Sequence, residues 1–423
     1  MGSVYAAPMT DATDAKLAEQ YEAFPYPRRD PREEPKRLIV GSPGHLREID
    51  HWIFGSRRPA SQPLRALFAG GGTGDGTIML AQQMAREGRT GSVTWLDRSA
   101  AALKIAQARA AARGLTNIVW EPRSLLELPG SALGPFDYVD CCGVLHHLPD
   151  PVEGVRALLS VLAPGGGLGL MVYAPHGRTG VYMVQDALRL MAPADEAPTV
   201  RLDVAKRVMR HLPETAWLRR NGFLDDHVNG GDAGLYDVLL NPRDRAFTVR
   251  ELHALLAAEG LEVACWVEPT RYDPIPLLPD PRLRARVEPL DPIDRAALAE
   301  ALVGNISAHI VYCVRRNEPV DRADFMAPDV VPVLRELVGA DLADGIRPDG
   351  TLTMVFDGLH RQLALPRQAP AILRLVDGRR SVGEIAATLA GRGIGADVFE
   401  RAWRATFTVL QGVNRLLLAA PVS

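Results

Sequence analysis

Residues Ala69–Thr77 read AGGGTGDGT, which places glycines at 70, 72 and 74 directly after the apolar run LRALFA. Glycines spaced this way permit a tight turn and let the backbone approach a bound molecule closely. A helix opening at that point offers free N–H groups and the positive end of its dipole. The dinucleotide fingerprint GxGxxG needs a third glycine at position 75, or at 77 when counted from Gly72, and Asp75 and Thr77 stand there instead. The tighter spacing suits a ligand with a ribose and an amino-acid tail better than a pyrophosphate. Asp97 ends the next apolar run, SVTWLD, 23 residues beyond Gly74. An acidic residue at the end of a second strand can accept from both hydroxyls of a ribose.

These residues need elements to hold them. Short apolar runs alternate with helical stretches from Leu64 onward. Strands are expected at Leu64–Ala69, Ser92–Asp97, Asn117–Glu121, Phe136–Cys142, Leu168–Tyr173, Leu261–Val267 and Ile306–Val314. That rhythm predicts an α/β fold with a mostly parallel sheet. Residues 175–247 interrupt it with helices and polar turns. Thr248 and Glu251, then Ser381 and Glu384, form capping boxes that open helices. Before the sheet, YEAFPYPRRDPREEPKR (Tyr21–Arg37) is too rich in proline for a long helix and reads as an extended arm. Residues 321–423 are expected to be mostly helical, with one strand at Thr351–Phe356 and a last helix from about Val398 to Leu418. The expected division is an arm over 1–60, a ligand-binding domain over 61–318 with its insertion, and a smaller domain over 319–423.

The order GGGTGDGT, VTWLDRS, FDYVDCCGVLHHLPDP and LAPGGGLGLMVY resembles class I S-adenosylmethionine-dependent methyltransferases, over about residues 61–315. The resemblance implies a Rossmann-like seven-stranded sheet whose last strand runs antiparallel. It also implies S-adenosylmethionine as cofactor. Gly70, Gly71, Gly72 and Gly74 match the loop beside its methionine and ribose, and Asp97 matches the ribose clamp. Arg98 would lie along the adenine, and Ser124 and Leu125 fall in the adenine loop RSLLELP. Cys142 and Gly143 match the end of the fourth strand, under the sulfonium. Two positions depart from the pattern. Phe68 stands where an acidic residue is common, and Ser124 stands where an aspartate is common. Tyr21 and Tyr26, in an arm resembling one seen in a bacterial branch of this family, could close over the cofactor as a lid.

His146 and His147 follow the fourth strand, and one of them could act as a general base near neutral pH. Neighbouring residues do not share one helix face, so only one can look toward the cofactor. Tyr173, Arg178 and His309 are expected at the same mouth, as substrate-binding residues. ILRLVDGRRSVGEIAATLA, in the C-terminal region, resembles the small winged-helix-like module of pyrroloquinoline-quinone peptide chaperones. That likeness implies a peptide or protein acceptor, set beside a small-molecule one. A helical lid or homodimerisation domain is the plainer expectation for the region.

Composition narrows the alternatives. With 423 residues, 47% apolar and 23% charged, the chain has the make-up of a globular protein of two or three domains. A net charge of −3 argues against holding duplex nucleic acid through many phosphate contacts. Cys141, Cys142, Cys265 and Cys313 lack CxxC spacing, so neither a zinc site nor a disulfide framework is expected. No run of 18 apolar residues or secretory pattern is present, and the expected compartment is the cytoplasm. The rival functions are a non-catalytic cofactor-binding scaffold and an NAD(P)-dependent oxidoreductase.

Overall fold

The computed structural model describes residues 11–421. The start of the expected arm, residues 1–10, lies outside them. Seven strands form one sheet: β1 (Leu64–Ala69), β2 (Gly91–Leu96), β3 (Ile118–Glu121), β4 (Phe136–Cys142), β5 (Leu162–Tyr173), β6 (Leu261–Trp266) and β7 (Ala308–Arg315). Their order is β3-β2-β1-β4-β5-β7-β6. β1 pairs in parallel with β2 and β4, while β7 runs antiparallel to both β5 and β6. The order reverses between β1 and β4, and the carboxyl ends of strands at such a switch point are where open α/β sheets bind ligands.

Alternation along β1 shows why the sheet is covered on both faces. Leu67 and Ala69 pack with Val155, Leu158, Leu252 and Leu256 from helices Pro151–Ser160 and Val249–Ala258. Ala66 and Phe68 face the other way, against Leu46, Ile49, Leu80 and Met84. β5 is longer than the sequence indicates. The strand expected at Leu168–Tyr173 begins at Leu162, with an irregularity at Pro164–Gly166, where Gly165 has φ of +69°, before regular pairing with β4 and β7 resumes at Gly167. Glycines pair here because neighbours crowd the backbone. A Cβ on Gly169 would lie 1.9 Å from the Tyr138 hydroxyl.

Before the sheet, a helix at Asp11–Ala23 leads into an extended segment that crosses the glycine loop. The insertion folds as helices Val181–Met191, Pro198–His211 and Gly231–Leu240, with two short ones between, around their own apolar cluster.

The C-terminal region has helices Ala369–Leu373, Val382–Ala390 and Ala396–Gly412, but it also holds more strand than expected. Thr351–Phe356 (β9) pairs with Leu359–Ala364 (β10) through a turn at Asp357 and Gly358, both with positive φ. The last helix ends at Gly412, and Leu416–Leu418 (β11) pairs with Pro332–Leu334 (β8), where the sequence was read as continuing helix. The fully buried carboxylate of Glu48 ties the region to the sheet. It accepts from Ser42 (2.7 Å), Tyr312 (2.6 Å) and Asn414 (2.7 Å), and it pairs with Arg335.

Candidate functional site

A cavity of about 570 Å³ opens at the carboxyl ends of β1, β2 and β4, within the roughly 300–1,000 Å³ usual for small-molecule sites. Its floor is the glycine loop. Gly70, Gly72 and Gly74 have φ of +84°, +49° and +99°, a region that residues with a Cβ rarely adopt. Sterics add to this. A Cβ on Gly70 would lie 2.2 Å from Val144, and one on Gly71 would lie 2.2 Å from the Trp95 indole. That indole donates to the Gly72 carbonyl (3.0 Å) and fixes the loop's shape.

Asp97 stands at the end of β2 with one oxygen accepting from the Gly72 N–H (2.8 Å) and the other from the Ser99 N–H (2.9 Å). Burial pushes its carboxyl above the usual range, and those two N–H groups pull the other way. A carboxylate can accept further hydrogen bonds beyond these, and Asp97 lines the cavity. Arg98, Ser124 and Leu125 line the same end. The Ser124 hydroxyl also caps a short helical turn, accepting from the Leu126 N–H (3.3 Å). Cys142 and Gly143 line the floor at the end of β4. Cys142 is a free thiol whose side chain is open to the cavity.

The arm forms the roof. Tyr21, Pro25, Tyr26, Pro27 and Arg29 all line the cavity. Arg29 grips Asp75 at the first turn of the helix Asp75–Glu87 with contacts down to 2.6 Å. Arg109 joins Asp75 (2.6 Å) to Glu34 (2.5 Å) and donates to the Thr73 carbonyl (2.8 Å), and Arg113 holds the other oxygen of Glu34. Burial raises Asp75, but Arg29 and Arg109 outweigh it and hold its carboxyl below the ordinary value. The two tyrosines reach the insertion: Tyr21 donates to Asp237 (3.0 Å) and Tyr26 to Asp226 (3.1 Å).

The structure separates the two histidines. His147 lines the cavity, and its Nδ1–H donates to the Arg243 carbonyl (2.6 Å). That bond fixes the tautomer, leaving Nε2 with its lone pair. His146 is fully buried beside the cavity wall, stacked 3.9 Å from Tyr173, and neither ring nitrogen has a hydrogen-bond partner. Burial, with His147 and Arg178 nearby, pushes its pKa well down, so it stays neutral and is not placed to exchange protons with a ligand.

Two other expectations are corrected. His309 does not reach the mouth: it is buried between Tyr272 (3.1 Å) and Glu300 (3.2 Å), because β7 turns that side chain toward the helix Pro292–Val303. Arg178 is also buried, paired with Asp244 (2.8 Å) and lying 3.7 Å over the Tyr173 ring. It backs Tyr173, which does line the cavity.

Two aspartates at the cavity went unnoticed in the sequence. Asp237 accepts from Tyr21 and from Tyr173 (3.0 Å each). Asp140 lies on β4 directly beside Phe68, the position without the expected acid, and accepts from the Tyr138 hydroxyl (2.7 Å). Both sit as lone charges inside apolar runs, LYDVLL and YVDCC, and that pattern is the signal that could have found them.

Burial pushes the Asp140 carboxyl up to about 7 against the Tyr138 hydrogen bond. Between its unfolded value near 4 and its folded value, the native state binds the extra proton. Its contribution to stability is therefore lost as pH rises through that window. Asp50, raised by burial to about 6, acts in the same direction. The melting temperature of ligand-free protein should fall between pH 5 and pH 8. Asp140→Asn should flatten that fall and be the more stable protein at pH 8; an unchanged slope would contradict the assignment.

Similarity to known proteins agrees with this geometry. Residues 67–168 match the methyltransferase domain family. An uncharacterized protein of Synechococcus sp. is 29% identical over 358 residues, covering 81% of this chain and 82% of that protein. A ubiquinone biosynthesis O-methyltransferase of Caulobacter sp. is 38% identical over 156 residues, covering 36% of this chain. One of Escherichia coli is 28% identical over 157 residues, covering 37% of this chain. The chain spans only 58% and 62% of those two enzymes. The structure of PKMT2 from Rickettsia typhi in complex with AdoHcy superposes with a TM-score of 0.61 at 15% identity, over 89% of this chain and 75% of that one. At that identity the likeness speaks for the fold. Among the described residues, no helix is long and apolar enough to cross a membrane.

Proposed function

Taking residues 67–168 as a class I methyltransferase domain with S-adenosylmethionine as its cofactor, we propose that the chain methylates a small molecule or the side chain of a peptide or protein. The observation that carries this reading is the single cavity joining the glycine loop, Asp97 and the free Nε2 of His147. The cofactor supplies an electrophilic methyl group on a positively charged sulfur. Ser124, Leu125 and Arg98 would hold its adenine, Asp97 its ribose, and Gly70–Gly74 its methionine stem. Asp140 is the carboxylate available to its ammonium, in place of the acid that Phe68 replaces. Cys142 and Gly143 would lie under the sulfur.

The remaining work is alignment, exclusion of water and removal of a proton. The arm supplies the exclusion, since its Tyr26 and Pro27 lie across the glycine loop. A Cβ on Gly72 would be 3.2 Å from the Tyr26 carbonyl oxygen. The proton falls to His147, whose Nδ1–H is already committed to Arg243. Arg178 and His146 hold Tyr173 from behind as positioning residues.

This division of labour is testable with His147→Gln and His146→Gln. General-base catalysis is typically worth 10²–10⁴-fold. His147→Gln should lower kcat by about 10²-fold, with binding of S-adenosylhomocysteine unchanged. His146→Gln should have a much smaller effect on kcat. Equal kcat in wild type and His147→Gln would remove the histidine from the chemistry.

A further inference from the structure

Resting on that reading, we propose that the acceptor is an amine nitrogen and that the Asp237 carboxylate receives the positive charge which methyl transfer moves onto it. Asp237 lies in the helix Gly231–Leu240, is 2% exposed and lines the cavity with Tyr173 and Tyr21. Both tyrosine hydroxyls donate to it, and Asn241 adds a longer bond of 3.4 Å. Burial and the charge of Asp237 itself push Tyr21 well up; burial first and then Asp237 do the same for Tyr173. Both rings therefore remain donors, and both point their hydroxyls at this one carboxylate.

Charge bookkeeping sets the preference. The cations around this end are already matched, Arg178 by Asp244 and Arg243 by Asp14. Among the described residues Asp237 forms no salt bridge, whereas Asp226 beside Tyr26 feels the charge of Arg178. An anionic acceptor, such as a phenolate or carboxylate, would meet a buried carboxylate with no salt-bridge partner to offset it. A neutral amine meets no such penalty, and its charge appears where the carboxylate waits. The nitrogen lone pair forms the bond to the methyl carbon, and the carbon–sulfur pair leaves with sulfur as a neutral thioether. The positive charge passes from sulfur to nitrogen, and the surplus N–H proton then leaves to His147 Nε2. A fixed carboxylate on the acceptor side favours that movement of charge in the transition state.

The probes are sinefungin, in which a primary amine replaces the sulfonium methyl, S-adenosylmethionine and S-adenosylhomocysteine. Each is titrated by calorimetry into the full chain and into Asp237→Asn. Wild type should bind sinefungin at least tenfold more tightly than either of the others. Asp237→Asn should abolish that preference and leave S-adenosylhomocysteine within twofold. With S-adenosylhomocysteine saturating, n-butylamine should bind wild type in the millimolar range and sodium butyrate should not. No sinefungin preference in wild type, a preference that survives in Asp237→Asn, or butyrate binding as well as butylamine would each overturn the proposal. Failure of all three nucleosides to bind would strike the methyltransferase reading instead.

Discussion

Asp97→Ala should raise the dissociation constant for S-adenosylhomocysteine by about 10²–10³-fold. A hydrogen bond to a charged group contributes about 1.5–3 kcal/mol, and a ribose offers two hydroxyls to this carboxylate. The carboxylate is partly buried and already held by two N–H groups, so it is oriented before the ligand arrives. The same oxygens accept from Gly72 and Ser99, so part of the loss will come from a loosened glycine loop. Asp97→Asn separates the two effects. It keeps one carbonyl acceptor for the backbone and should cost about tenfold less than alanine. An affinity within threefold of wild type in Asp97→Ala would remove the clamp.

The second large effect concerns the roof. Arg109 is 1% exposed and joins Asp75, Glu34 and the Thr73 carbonyl, so it couples the arm to the glycine loop through the helix Ala100–Ala112. Breaking a buried pair by removing one partner typically costs about 3–5 kcal/mol, because the other charge stays buried. Arg109→Leu should destabilise the methyltransferase unit at the low end of that range, since Arg29 and Arg113 still serve Asp75 and Glu34. It should also raise the off-rate of S-adenosylhomocysteine at least tenfold by freeing the arm. Stability and off-rate both unchanged in Arg109→Leu would show that the arm is held by other contacts.

The repeating strand–helix rhythm was legible because most strands are short apolar runs and helices such as Pro151–Ser160 and Val249–Ala258 are amphipathic. The antiparallel β7 followed from the resemblance, not from periodicity. The shape of the glycine loop and the place of Asp97 beside it were legible because one local turn sets both. His146 and His147 were not separable, since the carbonyl that orients His147 comes from Arg243, nearly a hundred residues away. His309 illustrates the reverse error: a polar residue on a strand near the site can face a buried partner, here Glu300. The hairpin at Asp357–Gly358 carried a readable signal, an Asp-Gly pair between two alternating runs. β8 and β11 are three residues each, too short for periodicity to register.

The central claim is that this cavity holds S-adenosylmethionine. Calorimetric titration of the purified chain with S-adenosylmethionine, S-adenosylhomocysteine and NADH tests it most directly. Micromolar binding of the first two, with no heat from NADH, is the predicted result. Binding of NADH alone would contradict it and assign Asp97 and the glycine loop to a nicotinamide cofactor.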